Sequence, residues 1–324
     1  MKLARRHFLG AASCLPFAGI ARADQPGWSG ALQMGTGRPG AAFTSFGPAW
    51  GRLITRETGV ELVYRSTDGS GSNLLLIEES NIQLGLCSLP LAIEAHNGTG
   101  DWTAGVKLEQ FRVLFPAFPS ILQIVSTPDG VSTLAGLQGQ SIGIGLSSTI
   151  PPDLMRNILI SQGITPGPIT QGSYTQQVAK LLRGELAACA FFGAPPVPAL
   201  KAIALENRLR LIGFSKAEAD KAASLIPGLA YMVLKAGTFP GQTFDVGSLG
   251  TINLAVGAAR LPNKLVEGAT LAALKHRPQL ADSVPAAAAS FPLQPIYQAG
   301  LTFHPGAVKA LHKLGYMLPE TAIG

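Results

Sequence analysis

Four short loops gather the residue types best suited to chemistry in this chain. "GTGRPG" at 35–40 sets Thr36, Gly37 and Arg38 between a strand-like run and a helical one. "STDGSGSN" at 66–73 places Gly69, Ser70, Ser72 and Asn73 at the start of an apolar helical pattern. "GIGLSSTIPP" at 143–152 carries Ser147, Ser148 and Thr149 just ahead of another helix, and "FFGAPP" at 191–196 carries Gly193 and Ala194 ahead of a further one. Glycines and hydroxyl residues at helix starts leave main-chain N–H groups exposed where the helix dipole favours negative charge. The chemistry they suit is non-covalent: holding the acceptor oxygens of a small ligand.

Two other readings stand beside that one. "GTGRPG" has the form G-x-G-x-x-G, the fingerprint of a dinucleotide site. Against it, Gly47-Pro48 interrupts the following helix and no acid closes the next strand, where Tyr64-Arg65-Ser66 lie. In "STDGSGSN", Ser70 or Ser72 can simply cap the helix, with Asn73 in its first turn. Capping and ligand contact remain open together. Arg38 is a candidate partner for a ligand carboxylate, since a guanidinium suits bidentate recognition, or else a solvated loop arginine.

Covalent and metal chemistry find no footing. The chain has no G-x-S-x-G elbow, H-E-x-x-H, P-loop or C-x-x-C. His96, His276, His304 and His312 are scattered and suit solvated or capping roles. Cys87 and Cys189 sit in apolar strand-like runs and read as buried free thiols. No catalytic residue, cofactor or metal is expected.

The elements that must position these loops follow a strand–loop–helix rhythm. "ALQMG", "VELVYRS", "IQLGLCS" (ending in Ser88), "QSIGIG", "LAACAFF" and "LRLIGF" read as strands. "FTSFGPAWGRLITRET", "SNLLLIEES", "LPLAIEAHNG", "PDLMRNILISQG", "QQVAKLLRGE" and "PPVPALKAIALEN" read as helices between them. That alternation predicts an α/β chain with a sheet covered on both faces. Extended, proline-marked stretches near 111–125 and 229–242 are the expected crossings between two lobes. They give a first lobe of 24–118 plus 231–324 and a second of 119–230.

With 324 residues, 47% hydrophobic and 14% charged, the chain can bury a large core. Its formal charge of +6 owes much to residues 1–23, which hold Lys2, Arg5, Arg6 and Arg22 and no acid. The remainder is close to balance, so nucleic acid is not an expected partner. Residues 1–23 combine that basic start, a short apolar run and "ARA" at 21–23, the plan of a cleaved export signal. Arg5-Arg6 leaves twin-arginine and Sec export both open.

Six segments in order resemble the TAXI-type solute-binding proteins of tripartite ATP-independent periplasmic (TRAP) transporters. They are "MGTGRPGAAFTSFGPAWGRLI", "STDGSGSNLLLIEESNIQLGLCS", "FRVLFPAFPSILQIVSTPDGVSTLAGLQGQSIGIG", "CAFFGAPPVPAL", "LKAGTFPGQ" and "FHPGAVKAL", spanning about 31–317. The resemblance implies a two-lobed periplasmic binding protein fold, type II-like, with a discontinuous first lobe and a ligand cleft between lobes. It implies a soluble periplasmic monomer that delivers a small carboxylate to a TRAP membrane permease. A sensor docking on a receptor kinase and the binding protein of an ATP-driven importer are the alternatives. Phe43-Thr44 stands where the family commonly has Tyr-Tyr, and "GLSSTIPP" lacks the second glycine of the family's second-lobe loop. The implied ligand residues are Thr36, Gly37, Arg38, Phe43, Thr44, Gly69, Ser70, Ser72, Asn73, Ser88, Ser147, Ser148, Thr149, Gly193 and Ala194.

Overall fold

The computed structural model describes residues 28–145, 152–206 and 208–324. The export segment and Ser147, Ser148 and Thr149 lie outside the described residues. The first half alternates as the sequence leads one to expect. β1 (Leu32–Gly35), α1 (Ala42–Thr58), β2 (Leu62–Arg65), α2 (Ser70–Glu78), β3 (Leu84–Ser88) and α3 (Leu89–Asn97) precede the long β4 (Phe111–Ser126). β5 (Ile142–Ile144), α4 (Pro152–Ser161), β6 (Ile169–Gln171), α5 (Tyr174–Leu182) and β7 (Ala188–Gly193) repeat the same order. Then come α6 (Pro198–Leu205), β8 (Arg210–Ile212), α7 (Lys216–Ala223), β9 (Ala230–Leu234) and β10 (Val246–Ala258). The chain ends in α8 (Asn263–Lys275), α9 (Arg277–Ala281), α10 (Gln294–Gln298) and α11 (Pro305–Lys313).

The strands form one curled sheet in the order β2-β1-β3-β10-β4-β7-β5-β6, with β8 on β4 and β9 on β10. β2-β1-β3 is parallel and so is β6-β5-β7, while β10 and β4 run antiparallel to their neighbours. Two strands therefore serve both ends of the sheet. β4 pairs with β10 along Phe111–Ile121 and with β7 along Ile121–Val125.

Proline removes a ladder donor, so Pro116 and Pro119 lead one to expect a break. The strand continues through both. Register shifts at Asn253/Leu254 and Ala255/Val256 flank Pro116, while Pro119 stays in register opposite Ile252. α1 likewise runs unbroken across Gly47-Pro48. Pro48 falls in its second turn, and a Cβ on Gly47 would press against Thr36 Cγ2 at 2.7 Å, so the glycine lets the helix lie close on the loop after β1.

Burial divides the interior into two main cores. The first holds Trp50, Phe46, Phe115, Phe118, Leu254 and Val256; the second holds Leu122, Ile124, Ile142, Ile158, Phe192 and Leu249. Each fully buried side chain of this kind contributes about 1.5–3 kcal/mol. Trp50 also donates Nε1–H to the Ala269 carbonyl at 3.0 Å and meets Phe115 edge-on at 5.1 Å, which fixes α1 against α8. Along β4 the buried side chains change core between Phe118 and Leu122, and along β10 between Leu249 and Ile252. β9 lies antiparallel on Val246–Gly250, with Tyr231 packed on the second core and Met232 on the first.

Candidate functional site

A cavity of about 320 Å³ opens where the two cores meet. The first lobe lines it with the loop after β1, the starts of α1, α2 and α3, and Val284. The second supplies Leu154 of α4, Tyr174 of α5, the 192–198 turn and Leu229. Its floor is the pair of crossing strands, through Phe118, Ser120, Thr251 and Asn253.

Three first-lobe helices begin at this cavity, and none has a side-chain cap. Their N-cap residues are Ala41, Gly69 and Ser88, all in the lining. Other helices of the chain do carry side-chain caps. Ser173–Gln176 and Ser215–Glu218 form capping boxes on α5 and α7, and His304 Nδ1 accepts from Gly306 N–H at α11. α6, α8, α9 and α10 also start without a side-chain cap, α6 at the cavity-lining Val197. Three convergent, uncapped N-termini give the cavity a positive main-chain potential without a charged side chain.

The "STDGSGSN" loop explains how α2 reaches that position. Gly69 takes φ +104° and ψ −144°, a conformation essentially reserved for glycine. Thr67 Oγ1 accepts from Gly69 N–H at 3.2 Å and donates to Asn73 Oδ1 at 2.8 Å. Asn73 Nδ2 donates to the Thr36 carbonyl at 3.0 Å and the Leu86 carbonyl at 2.8 Å. Asn73 is fully buried, and its amide ties the ends of β1, β2 and β3 together. Gly35 leaves it room, since a Cβ there would collide with Asn73 Oδ1.

The expected residues divide accordingly. Gly37, Arg38, Phe43, Thr44, Gly69, Ser70, Ser88, Gly193 and Ala194 line the cavity together. Thr36 is buried beneath it, with Oγ1 donating to the Arg65 carbonyl. Asn73 lies in the brace under the wall, and both polar atoms of its amide are already engaged. Ser72 faces a separate open groove with Arg65, Thr67, Asp68 and Leu76. Neither Ser70 nor Ser72 caps α2. Ser70 Oγ instead accepts from Ser88 N–H at 3.0 Å, joining the starts of α2 and α3.

Arg38 borders both the cavity and the groove, and its Nη2 meets Asp68 Oδ1 at 2.8 Å. The pair is substantially exposed, so its net contribution to stability is small. Phe43 packs edge-on to Phe118 at 6.0 Å.

Several residues that line or brace the cavity escaped sequence reasoning. Asn253 Nδ2 donates to the Phe118 carbonyl at 3.0 Å, and Thr251 Oγ1 to the Gly228 carbonyl at 2.7 Å. Gln123 Nε2 donates to the Gly193 carbonyl and its Oε1 accepts from Val197 N–H, both at 3.0 Å, which pins the 193–197 turn. Tyr174 donates to the Phe192 carbonyl at 3.3 Å. The available signal was a polar residue inside an apolar strand, as in "PSILQIV" and "GTINLAVG". On the first-lobe side, Arg277 binds the Pro116, Ala287 and Ala289 carbonyls, holding the segment that carries Val284.

Cys87 and Cys189 are free and buried. Burial pushes the Cys87 thiol up and that of Cys189 up to about 12, so neither is a thiolate near neutrality. Among the described residues no helix is long and apolar enough to cross a membrane.

The fold recurs in proteins of distant sequence. A TctC solute-binding protein from Polaromonas, solved without ligand, is similar over 87% of this chain and 98% of its own, with 12% identity and a TM-score of 0.53. A periplasmic transporter is similar over 87% and 97%, with 13% identity and a TM-score of 0.52. The architecture is thus that of the two-lobed periplasmic binding proteins, with the cavity in the cleft between lobes. The sequence itself matches the NMT1-like family model over residues 34–315, and the chain belongs to the NMT1-like family.

Proposed function

We propose that this protein is a periplasmic solute receptor. It captures a small, carboxylate-bearing molecule between its lobes, closes on it by hinge motion and hands it to a membrane permease of the TRAP type. The observation that carries this reading is the meeting of three uncapped helix N-termini at one interlobe cavity. A carboxylate there accepts from main-chain N–H groups at the starts of α1, α2 and α3, with Ser70, Ser88 and Thr44 beside it. Closure moves the second-lobe wall of Leu154, Tyr174 and the 192–197 turn towards that head group.

The six ordered segments shared with TAXI-type proteins favour a TRAP permease as recipient. An importer driven by ATP uses a receptor of the same architecture, as the notion of a common binding fold requires. The test has two stages. A thermal-shift screen of the purified protein against carboxylates, amino acids and sugars comes first; a ligand at 100 times its Kd stabilises by about 2.7 kcal/mol. Absence of a shift with every solute class refutes the receptor reading. Uptake of the identified ligand into permease-containing vesicles then separates the recipients: an imposed ion gradient drives it without ATP if the permease is of the TRAP type.

A further inference from the structure

The cavity is poor in charge. Arg38 is its only lining side chain charged at neutral pH among the described residues, and Asp68 already holds that guanidinium at 2.8 Å. The segment 146–151 between β5 and α4, outside the described residues, reads Leu-Ser-Ser-Thr-Ile-Pro and contains no ionisable residue. The walls are instead hydrocarbon from both lobes: Phe43, Leu91 and Val284 on one side, Leu154 and Phe192 on the other, with Phe118 beneath.

A buried charge needs a partner of opposite sign or a full set of hydrogen bonds. The proposed head-group site satisfies one carboxylate. A second carboxylate at the far wall would meet no cationic side chain among the described residues, only hydrocarbon and the Tyr174 hydroxyl, which already donates to the Phe192 carbonyl, and an α-ammonium would find no acid among the described lining residues. Resting on the receptor reading above, we infer that the ligand is a monocarboxylate with an aromatic or branched hydrocarbon body, and that the cavity rejects diacids and amino acids. The walls of Phe43, Phe118 and Phe192 select for the body by removing its apolar surface from water.

Matched compounds isolate the charge. Calorimetric titration of the full chain compares 3-phenylpropanoate with L-phenylalanine, 4-methylpentanoate with L-leucine, and hexanoate with hexanedioate. Each monocarboxylate is expected to bind at least about tenfold more tightly than its doubly charged partner, a gap of about 1.4 kcal/mol. Phe43→Ala is expected to weaken 3-phenylpropanoate about tenfold while leaving the melting temperature of the free protein within a few degrees. Equal or tighter binding of the amino acids or of hexanedioate overturns the inference and leaves the receptor reading standing. Unchanged affinity in Phe43→Ala overturns the apolar-body assignment. If none of the six compounds binds and a sugar does, the carboxylate reading falls with it, and if no solute of any class binds, so does the receptor reading.

Discussion

Asn253 on β10 donates from Nδ2 to Ser120 Oγ on β4 at 2.8 Å, so the two strands shared by both lobes are tied together at the cavity floor by one side chain. The same amide holds the Phe118 carbonyl. Because Asn253 is buried, removing it leaves two groups without their donor. Asn253→Ala is expected to cost about 1–3 kcal/mol in urea unfolding. A change below about 0.5 kcal/mol would show that the tie does not hold the floor.

Asn73 and Ser72 are neighbours with opposite expected consequences. Asn73→Asp keeps the shape but replaces two donors with a carboxylate facing the Thr36 and Leu86 carbonyls, so a loss of about 3 kcal/mol or more is expected. Ser72→Ala, on the outer groove, is expected to stay within about 0.5 kcal/mol. Equal effects from the two would refute the brace.

Gly69 sets the entry to α2 in a backbone conformation that a side chain disfavours. Gly69→Ala is expected to lower stability by about 1–3 kcal/mol and to weaken ligand binding through the displaced start of α2. Chemical denaturation and titration with the bound ligand measure the two effects separately.

His304 gives the fold an acid limit. Burial holds its pKa below the ordinary 6.5, and its Nδ1 accepts the Gly306 N–H at the start of α11. Below pH 6.5 the unfolded chain takes up a proton that the folded chain resists, so this contribution to stability is complete above 6.5 and declines as the pH falls through the folded pKa. His304→Asn keeps a cap acceptor without the titration. Its stability is expected to fall less steeply than wild type between pH 6.5 and 5, and parallel curves would dismiss the histidine as the cause.

The alternation of elements was legible because each strand is a compact apolar run closed by glycine, serine or a helix start. "IQLGLCS" followed by "LPLAIEAHNG" becomes β3 and α3, with Gly98 in the left-handed conformation ending the helix as its position suggested. β6, α7, α9 and α10 were not legible, being short or weakly patterned. Pro116 of β4 misled for a physical reason: bulges against β10 on either side of it accommodate what a regular ladder forbids. Asn73 is a different case. An asparagine in the first turn of a helix suits a cap or a ligand contact, and only the glycines at 35 and 85 opposite it reveal a buried brace. The roles of Asn253, Gln123 and Tyr174 depend on which strands and turns become neighbours, and local sequence does not carry that information.

β4 and β10 have a further consequence for how the molecule comes apart. Residues of a single strand belong to both cores, Phe118 and Leu122 on one, Leu249 and Ile252 on the other. Melting either core frays the strands that the other requires, so the lobes unfold as one cooperative unit. A molecule held by one lobe alone therefore protects the whole chain against heat and proteases.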